Sequence, residues 1–322
     1  MTKFVRLSRG LDINLAGKAE KTKRVLKPGE VYALTPSSFE GVKPKVMVKE
    51  GDRVKAGDVL FINKDYPEVG FSSPVSGEVC LVERGDRRKL LSVRVKADAN
   101  QEFVDFGVKN VKEMTGDDVE KSLLEAGLFG YINQLPYAVS TNPQTKPKAI
   151  FVSALRDMPL AGDFEFELEG QKKDFQTGLT ALSKMAKTYL GVGDKQNISA
   201  ADVEVVTFKG KCPAGNVGVQ VNHIDPVNKG EVVWTVDPTA VIFFGRLFNS
   251  GRVDLRRTVA LAGSEVTAPC YSDMLVGQDI ETLVAGAYRG DNVRIIMGNP
   301  LTGKPVEKTA DTGAAPYSRF LG

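Results

Sequence analysis

Histidine and cysteine are nearly missing from this chain of 322 residues: there is one His, His223, and three Cys, at 80, 212 and 270. No two cysteines are close in sequence, so no Cys-x-x-Cys pair is available for zinc, an iron–sulfur centre or thiol redox chemistry. An odd, widely spaced set also fits a reducing compartment better than a disulfide framework. Long apolar runs are absent too. The strongest, at 240–245, is far short of the ~20 residues that a membrane helix needs, and the N-terminus lacks the continuous apolar core of a signal peptide. The expectation is a cytoplasmic chain that is not integral to the membrane. Basic stretches interleaved with aromatics, the footprint of nucleic-acid binding, do not occur.

What is present is an ordinary globular composition, 42% hydrophobic and 26% charged, with 32 Gly and 16 Pro. The length predicts two or three domains, and the turn residues predict many short elements. Net charge is only +3, but residues 1–49 carry eleven Lys/Arg against Asp12, Glu20, Glu30 and Glu40. Such a basic end could face anionic lipid or an acidic partner, or be a solvated face.

Three regions follow along the chain. The first, residues 1–105, is β-rich. Its pattern V-x-x-G-D-x-V-x-x-G-x-x-L over 48–60 and S-P-x-x-G-x-V over 73–79 places glycines at tight turns, with Val and Leu lining a small barrel. It resembles the biotinyl/lipoyl-like barrel-sandwich hybrid. The second, 110–257, alternates helices and strands, as in a Rossmann-like open α/β sheet. Thr115 with Asp118 signals a helix start, and Gly127 its stop. A buried strand is predicted at 149–154 and a helix at 176–190 ended by Gly191. Strands are predicted at 203–208, 218–224 and 231–236, then a helix capped by Asp237 with Pro238 at its first position and Gly251 at its end. The third region, 258–322, has strand signals at 258–262 and 293–297 around a short helix at 279–287. It suits a β-grasp module of the soluble-ligand-binding type, and the fold class is α+β or α/β multidomain.

The motifs that could carry chemistry are weak. In the hairpin between Leu60 and Pro74, Tyr66 stands in the position of a lipoyl lysine, Lys64 is two places off, and no Met-Lys-Met offers a biotin site. The first region therefore reads as a barrel without a prosthetic group. Gly191-Val192-Gly193 lacks the strand–turn–helix setting of a dinucleotide loop and reads as a helix stop, and the glycines of 215–218 as a loop. The stretch from Gly298 to Pro305 is a near miss to a phosphate loop. Pro305 replaces the magnesium-binding hydroxyl, and Pro300 removes an amide donor. His223 reads as a structural histidine on a strand. The most unusual stretch is 126–145, which has no charge at all. There Phe129, Tyr131, Gln134, Pro136 and Tyr137 form an uncharged aromatic loop that could grip an apolar ring or a partner, or pack as a linker.

A family resemblance rests on an ordered series over all three regions. It starts with Ser8-Arg9-Gly10-Leu11-Asp12-Ile13, Leu15-Ala16-Gly17 and Ser73-Pro74-Val75-Ser76-Gly77. It continues through Phe151-Val152-Ser153-Ala154-Leu155-Arg156-Asp157-Met158-Pro159, His223-Ile224-Asp225-Pro226-Val227, Val232-Val233-Trp234-Thr235 and Gly245-Arg246-Leu247-Phe248. It ends with Arg257-Thr258-Val259-Ala260-Leu261-Ala262-Gly263, Val276-Gly277-Gln278-Asp279-Ile280 and Gly298-Asn299-Pro300-Leu301-Thr302-Gly303. This series resembles the A subunits of the sodium-pumping NADH:quinone oxidoreductases. The resemblance implies a peripheral subunit on the cytoplasmic face of the bacterial inner membrane, docked on the other subunits and bearing no redox cofactor of its own. It implies that FAD, FMN, riboflavin and an iron–sulfur centre sit in those other subunits, that ubiquinone or menaquinone is the substrate of the whole complex, and that the family continues into a further C-terminal region. It makes 126–145, with Phe129, Tyr131, Gln134, Pro136 and Tyr137, the candidate quinone or partner contact. Many relatives carry a basic residue just before the proline of this loop, where Leu135 stands here. The competing readings are a component of an electron-bifurcating or ferredoxin:NAD oxidoreductase of related architecture, and a non-enzymatic biotinyl/lipoyl-like module.

Overall fold

Runs such as Ile150-Phe151-Val152 have apolar side chains at consecutive positions, the pattern of a strand covered on both faces. A computed structural model describing residues 3–306 and 320–322 places Ile150–Ser153 at the middle of a seven-stranded sheet. In spatial order the sheet runs Lys3–Arg6, Glu204–Lys209, Thr188–Gly193, Ile150–Ser153, Val233–Val236, Ile132–Leu135 and Val139–Ser140. The first five are parallel and the last two antiparallel. From Ile150–Ser153 the chain winds outward on one side through Lys172–Met185 and Thr188–Gly193 to Glu204–Lys209. It then crosses back through the helix Val217–Ile224 to Val233–Val236 on the other side. The direction of winding therefore reverses between Ile150–Ser153 and Val233–Val236, which is where open α/β sheets form their crevice.

The helix signals at both ends of this unit are realised. Thr115 and Asp118 close a reciprocal capping box on Gly116–Glu125. Asp237 accepts from Thr239 N at the start of Pro238–Ser250, and Gly251, at φ 69, ends it. Two expectations are corrected. The helix predicted at 176–190 is Lys172–Met185, and Gly191 and Gly193 lie inside the buried strand Thr188–Gly193 instead of stopping a helix. They are needed there because a Cβ on Gly191 would sit 2.0 Å from Gln220 Oε1. The strand predicted at 218–224 is the helix Val217–Ile224, capped by Asn216, so His223 stands on an exposed helix face. The alternating Val-x-Val-x-Val reads as period 2, but Gln220 and Val221 are the pair turned inward.

The barrel strands begin at Val31. One sheet contains Val31–Leu34, Leu90–Ala97, Gly77–Arg84 and Arg53–Val54; the other contains Pro44–Val46, Val59–Asn63 and Gly70–Ser72. Gly51 and Gly57 take φ of 90° and 103° at the turns where the pattern needed them. The segment before Val31 serves the other two units. Lys3–Arg6 is the edge strand of the large sheet, and Arg24 N donates to Tyr271 O at 2.8 Å, alongside the strand Cys270–Leu275. That strand pairs with Arg256–Leu261, and the helix predicted at 279–287 is only Glu281–Val284. The glycine-rich run from 298 joins Ile296–Met297 to Lys304–Pro305 as a hairpin, with Asn299 Oδ1 accepting from Leu301 N and Thr302 N. Residues 307–319 of the third region lie outside the described residues.

Barrel and α/β unit are joined by packed rings. Phe61 stacks on Phe71 (4.8 Å between centroids), Phe71 lies tilted against Phe39 (4.2 Å), Phe39 meets Tyr131 edge-to-face (5.1 Å), and Tyr131 meets Phe243 of the helix Pro238–Ser250 edge-to-face (5.7 Å). Ser72 Oγ donates to Ala126 O at 2.7 Å across the same seam. A Cβ on Gly130 would lie 2.3 Å from the Phe71 ring. Gly130→Ala is therefore expected to cost about 1–3 kcal/mol through overpacking, read as a lower urea midpoint; an unchanged midpoint would mean that the seam is loose.

Candidate functional site

The uncharged stretch is a short turn followed by a hairpin at the sheet edge. Phe129–Tyr131 forms a 3-10 turn, then Ile132–Leu135 pairs with Val139–Ser140. This separates the five candidate residues. Phe129 is fully buried with its ring edge-on to Trp234 at 5.6 Å, a core position and no contact surface. Tyr131 is half-buried between Phe39 and Phe243. Gln134, also half-buried, accepts from Thr141 Oγ1 at 3.3 Å and steadies the hairpin. Only Pro136 and Tyr137, at the tip, face outward, Tyr137 with 79% of its surface exposed. The Leu135–Pro136 bond is cis.

A second constellation occupies the crevice at the winding reversal. The strand Ile150–Ser153 runs into Ala154-Leu155-Arg156-Asp157, with no glycine turn to admit a phosphate. Arg156 donates from Nη1 to Glu167 Oε1 at 2.9 Å and from Nη2 to Thr239 Oγ1 at 3.0 Å, and its Nη2 lies 3.7 Å from Asp237 Oδ1. Its guanidinium also lies 5.3 Å from the centroid of the Phe164 ring. Arg257, from the strand Arg256–Leu261, faces the same carboxylates and donates to Gly322 O at 2.9 Å, while its buried Nε has no partner among the described residues. Glu167 has only 5% of its side chain exposed; burial pushes its carboxyl up to about 7 against the pull of Arg156 and Arg257. Burial likewise raises Asp157, although it accepts from Gly215 N at 2.7 Å. The crevice is thus filled by the chain's own ion pairs, Arg156 with Glu167 and Asp237, with the charge of Arg257 felt by the same Glu167 carboxylate.

Sequence reasoning did not single out this constellation. Arg156 and Arg257 belong to the family series without a role attached, and the one signal for Glu167 was a carboxylate set between Phe166 and Leu168. The other singled-out groups stay apart. Cys80 is exposed, Cys212 half-buried and Cys270 buried, all as free thiols. His223 Nδ1 lies 2.8 Å from Val219 O of its own helix. Among the described residues no three or more His, Cys, Asp or Glu are grouped to hold a metal ion, and no helix is long and apolar enough to cross a membrane.

Because Glu167 binds its proton more tightly folded than unfolded, it favours the folded state at low pH, and this contribution is lost as pH rises from its ordinary range near 4.5 through about 7. Urea unfolding of the native chain and Glu167→Gln should therefore diverge with pH. Relative to the variant, the native chain is expected to lose roughly 3 kcal/mol between pH 5 and pH 8. Parallel stability curves would show that Glu167 does not titrate in that range.

Three family models match the chain in order: the NqrA N-terminal barrel-sandwich hybrid domain over residues 5–98, the NqrA second alpha/beta domain over 114–253 and the NQRA C-terminal domain over 258–308. The chain is 32% identical over 306 residues to the A subunit of the Na(+)-translocating NADH-quinone reductase of Pseudomonas aeruginosa, covering 94% of this chain and 69% of that one. It is 33% identical over 310 residues to its counterpart in Neisseria meningitidis, covering 93% and 69%. With that of Cellvibrio japonicus it shares 32% over 308 residues, covering 94% and 69%. Matched along nearly all its length, with the barrel-sandwich hybrid and α/β units in the expected order, the chain belongs to the NqrA family, the A subunits of Na+-translocating NADH-quinone reductases.

Proposed function

We propose that this chain works as the NqrA component of a respiratory complex that oxidises NADH, reduces ubiquinone or menaquinone and exports Na+. In this reading it is a peripheral scaffold on the cytoplasmic face of the bacterial inner membrane. FAD, FMN, riboflavin and the iron–sulfur centre belong to the partner subunits, and the membrane is reached through those partners. The observation that carries the scaffold role is the crevice of the α/β sheet, where Arg156 spans to Glu167 and Thr239 in the place a dinucleotide would take. A sheet closed by its own side chains offers docking surface in place of a nucleotide cradle. The units 1–105, 110–257 and 258–322 are the parts of that scaffold, the last taken as the β-grasp module. Nothing in the described residues favours the electron-bifurcating or the carrier-protein reading.

Within this proposal the hairpin tip is the contact with quinone or with the neighbouring chain that holds it. Tyr137 supplies an exposed aromatic face and Pro136 sets the turn, while Phe129, Tyr131 and Gln134 hold the hairpin from behind. Membranes from cells lacking the chain should lose Na+-dependent NADH:quinone reduction, and the chain should co-purify with the membrane subunits. Retention of full activity without it would refute the assignment.

Two substitutions separate the tip from its base. Tyr137→Ala should lower quinone reduction or the yield of assembled complex about fivefold, the loss of ~1 kcal/mol of aromatic contact, while the melting temperature stays put. Phe129→Ala should instead cost about 3–5 kcal/mol of folding stability, as for any deleted core ring. Quinone reduction and assembly both unaffected by Tyr137→Ala would remove the tip from the contact.

A further inference from the structure

Between the edge strand Lys3–Arg6 and the barrel, the chain crosses the surface as a strap. Residues 8–16 form no strand or helix and all are exposed. The strap is fastened at two places. Leu11 N donates to Cys212 O at 2.9 Å while Asp12 Oδ1 accepts from Cys212 N at 3.0 Å, and Gly17 O accepts from Gly263 N at 2.9 Å. The second fastening is close enough that a Cβ on Gly17 would meet Gly263 O at 2.0 Å.

Asp12, the one acid of this stretch, is exposed, with one carboxylate oxygen accepting from Cys212 N. Leu11, Ile13 and Leu15 are left open to solvent, at 67%, 41% and 44%. Beside them Arg9, Lys18 and Lys211 are exposed and have no ion-pair partner among the described residues. Aliphatic side chains at alternate positions, flanked by three unpaired cations against the one carboxylate of Asp12, match a lipid interface. The apolar groups can enter the boundary between headgroups and acyl chains while the cations meet anionic headgroups. A protein partner fits less well, because protein interfaces deplete lysine.

We propose that the strap around Leu11, Ile13 and Leu15 is a direct docking site for an anionic membrane surface. This goes beyond the proposed function, in which partners alone bring the chain to the membrane, and it is testable without them. The full 322-residue chain should sediment with vesicles of equal parts phosphatidylcholine and phosphatidylglycerol, be released by salt, and ignore vesicles of phosphatidylcholine alone. Arg9→Gln and Lys18→Gln should each weaken binding about fivefold, and the pair Ile13→Asp with Leu15→Asp should abolish it. All four side chains are exposed, so thermal unfolding should stay unchanged. No sedimentation with the anionic vesicles, or equal sedimentation of all variants, would overturn the proposal. So would a photo-cross-linker at position 13 that, in the assembled complex in native membranes, labels protein and no lipid. None of these results bears on co-purification with the membrane subunits, so the two readings fail separately.

Discussion

A continuous run of aromatic rings, from Phe61 through Phe71, Phe39 and Tyr131 to Phe243, ties the barrel to the helix Pro238–Ser250 of the α/β unit. Each such ring buries roughly 150–250 Å², and packed rings leave few alternative arrangements. The hairpin that ends in Tyr137 grows directly from this seam, since Phe129 and Tyr131 are its base. The same helix begins at Asp237, beside the crevice, so the seam also sets the position of Thr239 opposite Arg156. Gly127 and Gly130 are the positions where side chains had to be given up so that Ser72 and Phe71 could come close.

The ion pairs of the crevice work differently. Desolvating Glu167 and Arg156 is costly, and a buried pair is weak support for stability compared with apolar packing of the same volume. What the pair contributes is specificity of place, because three segments must meet for its bonds to form: the loop after Ile150–Ser153, the turn Phe164–Glu167 and the start of Pro238–Ser250. Apolar side chains would fill the crevice without dictating which segments meet there.

Much of the scaffold was legible in the sequence because it rests on local rules. Thr115 and Asp118 cap a helix through atoms three residues apart, Asp237-Pro238 does the same, and Gly51 and Gly57 sit where the turns demand positive φ. What was not legible depended on distant partners. Gly191 looks like a helix stop until Gln220 is known to press against it, and the Val-x-Val-x-Val of 217–221 favours a strand until Asn216 is seen capping a helix. Of the candidate site, the uncharged stretch was visible but its inside and outside were not. Nothing in its spacing told Phe129, packed against Trp234, from Tyr137, open to solvent. The crevice pair escaped because Arg156 and Glu167 are joined by a turn that only the fold closes.

The strand Lys3–Arg6 has a bearing on how the molecule is put together in time. It belongs to the α/β sheet, but the whole barrel intervenes before the strand beside it, Glu204–Lys209, is reached. During synthesis the first residues must therefore wait for some two hundred more before their neighbour emerges. A fragment cut to 110–257 would leave the far side of Glu204–Lys209 with an unpaired row of amides and carbonyls, a sticky margin that invites pairing with another chain. The barrel is in effect spliced into the α/β unit: its own strands, Val31 to Ala97, are all made before the sheet that brackets them can close.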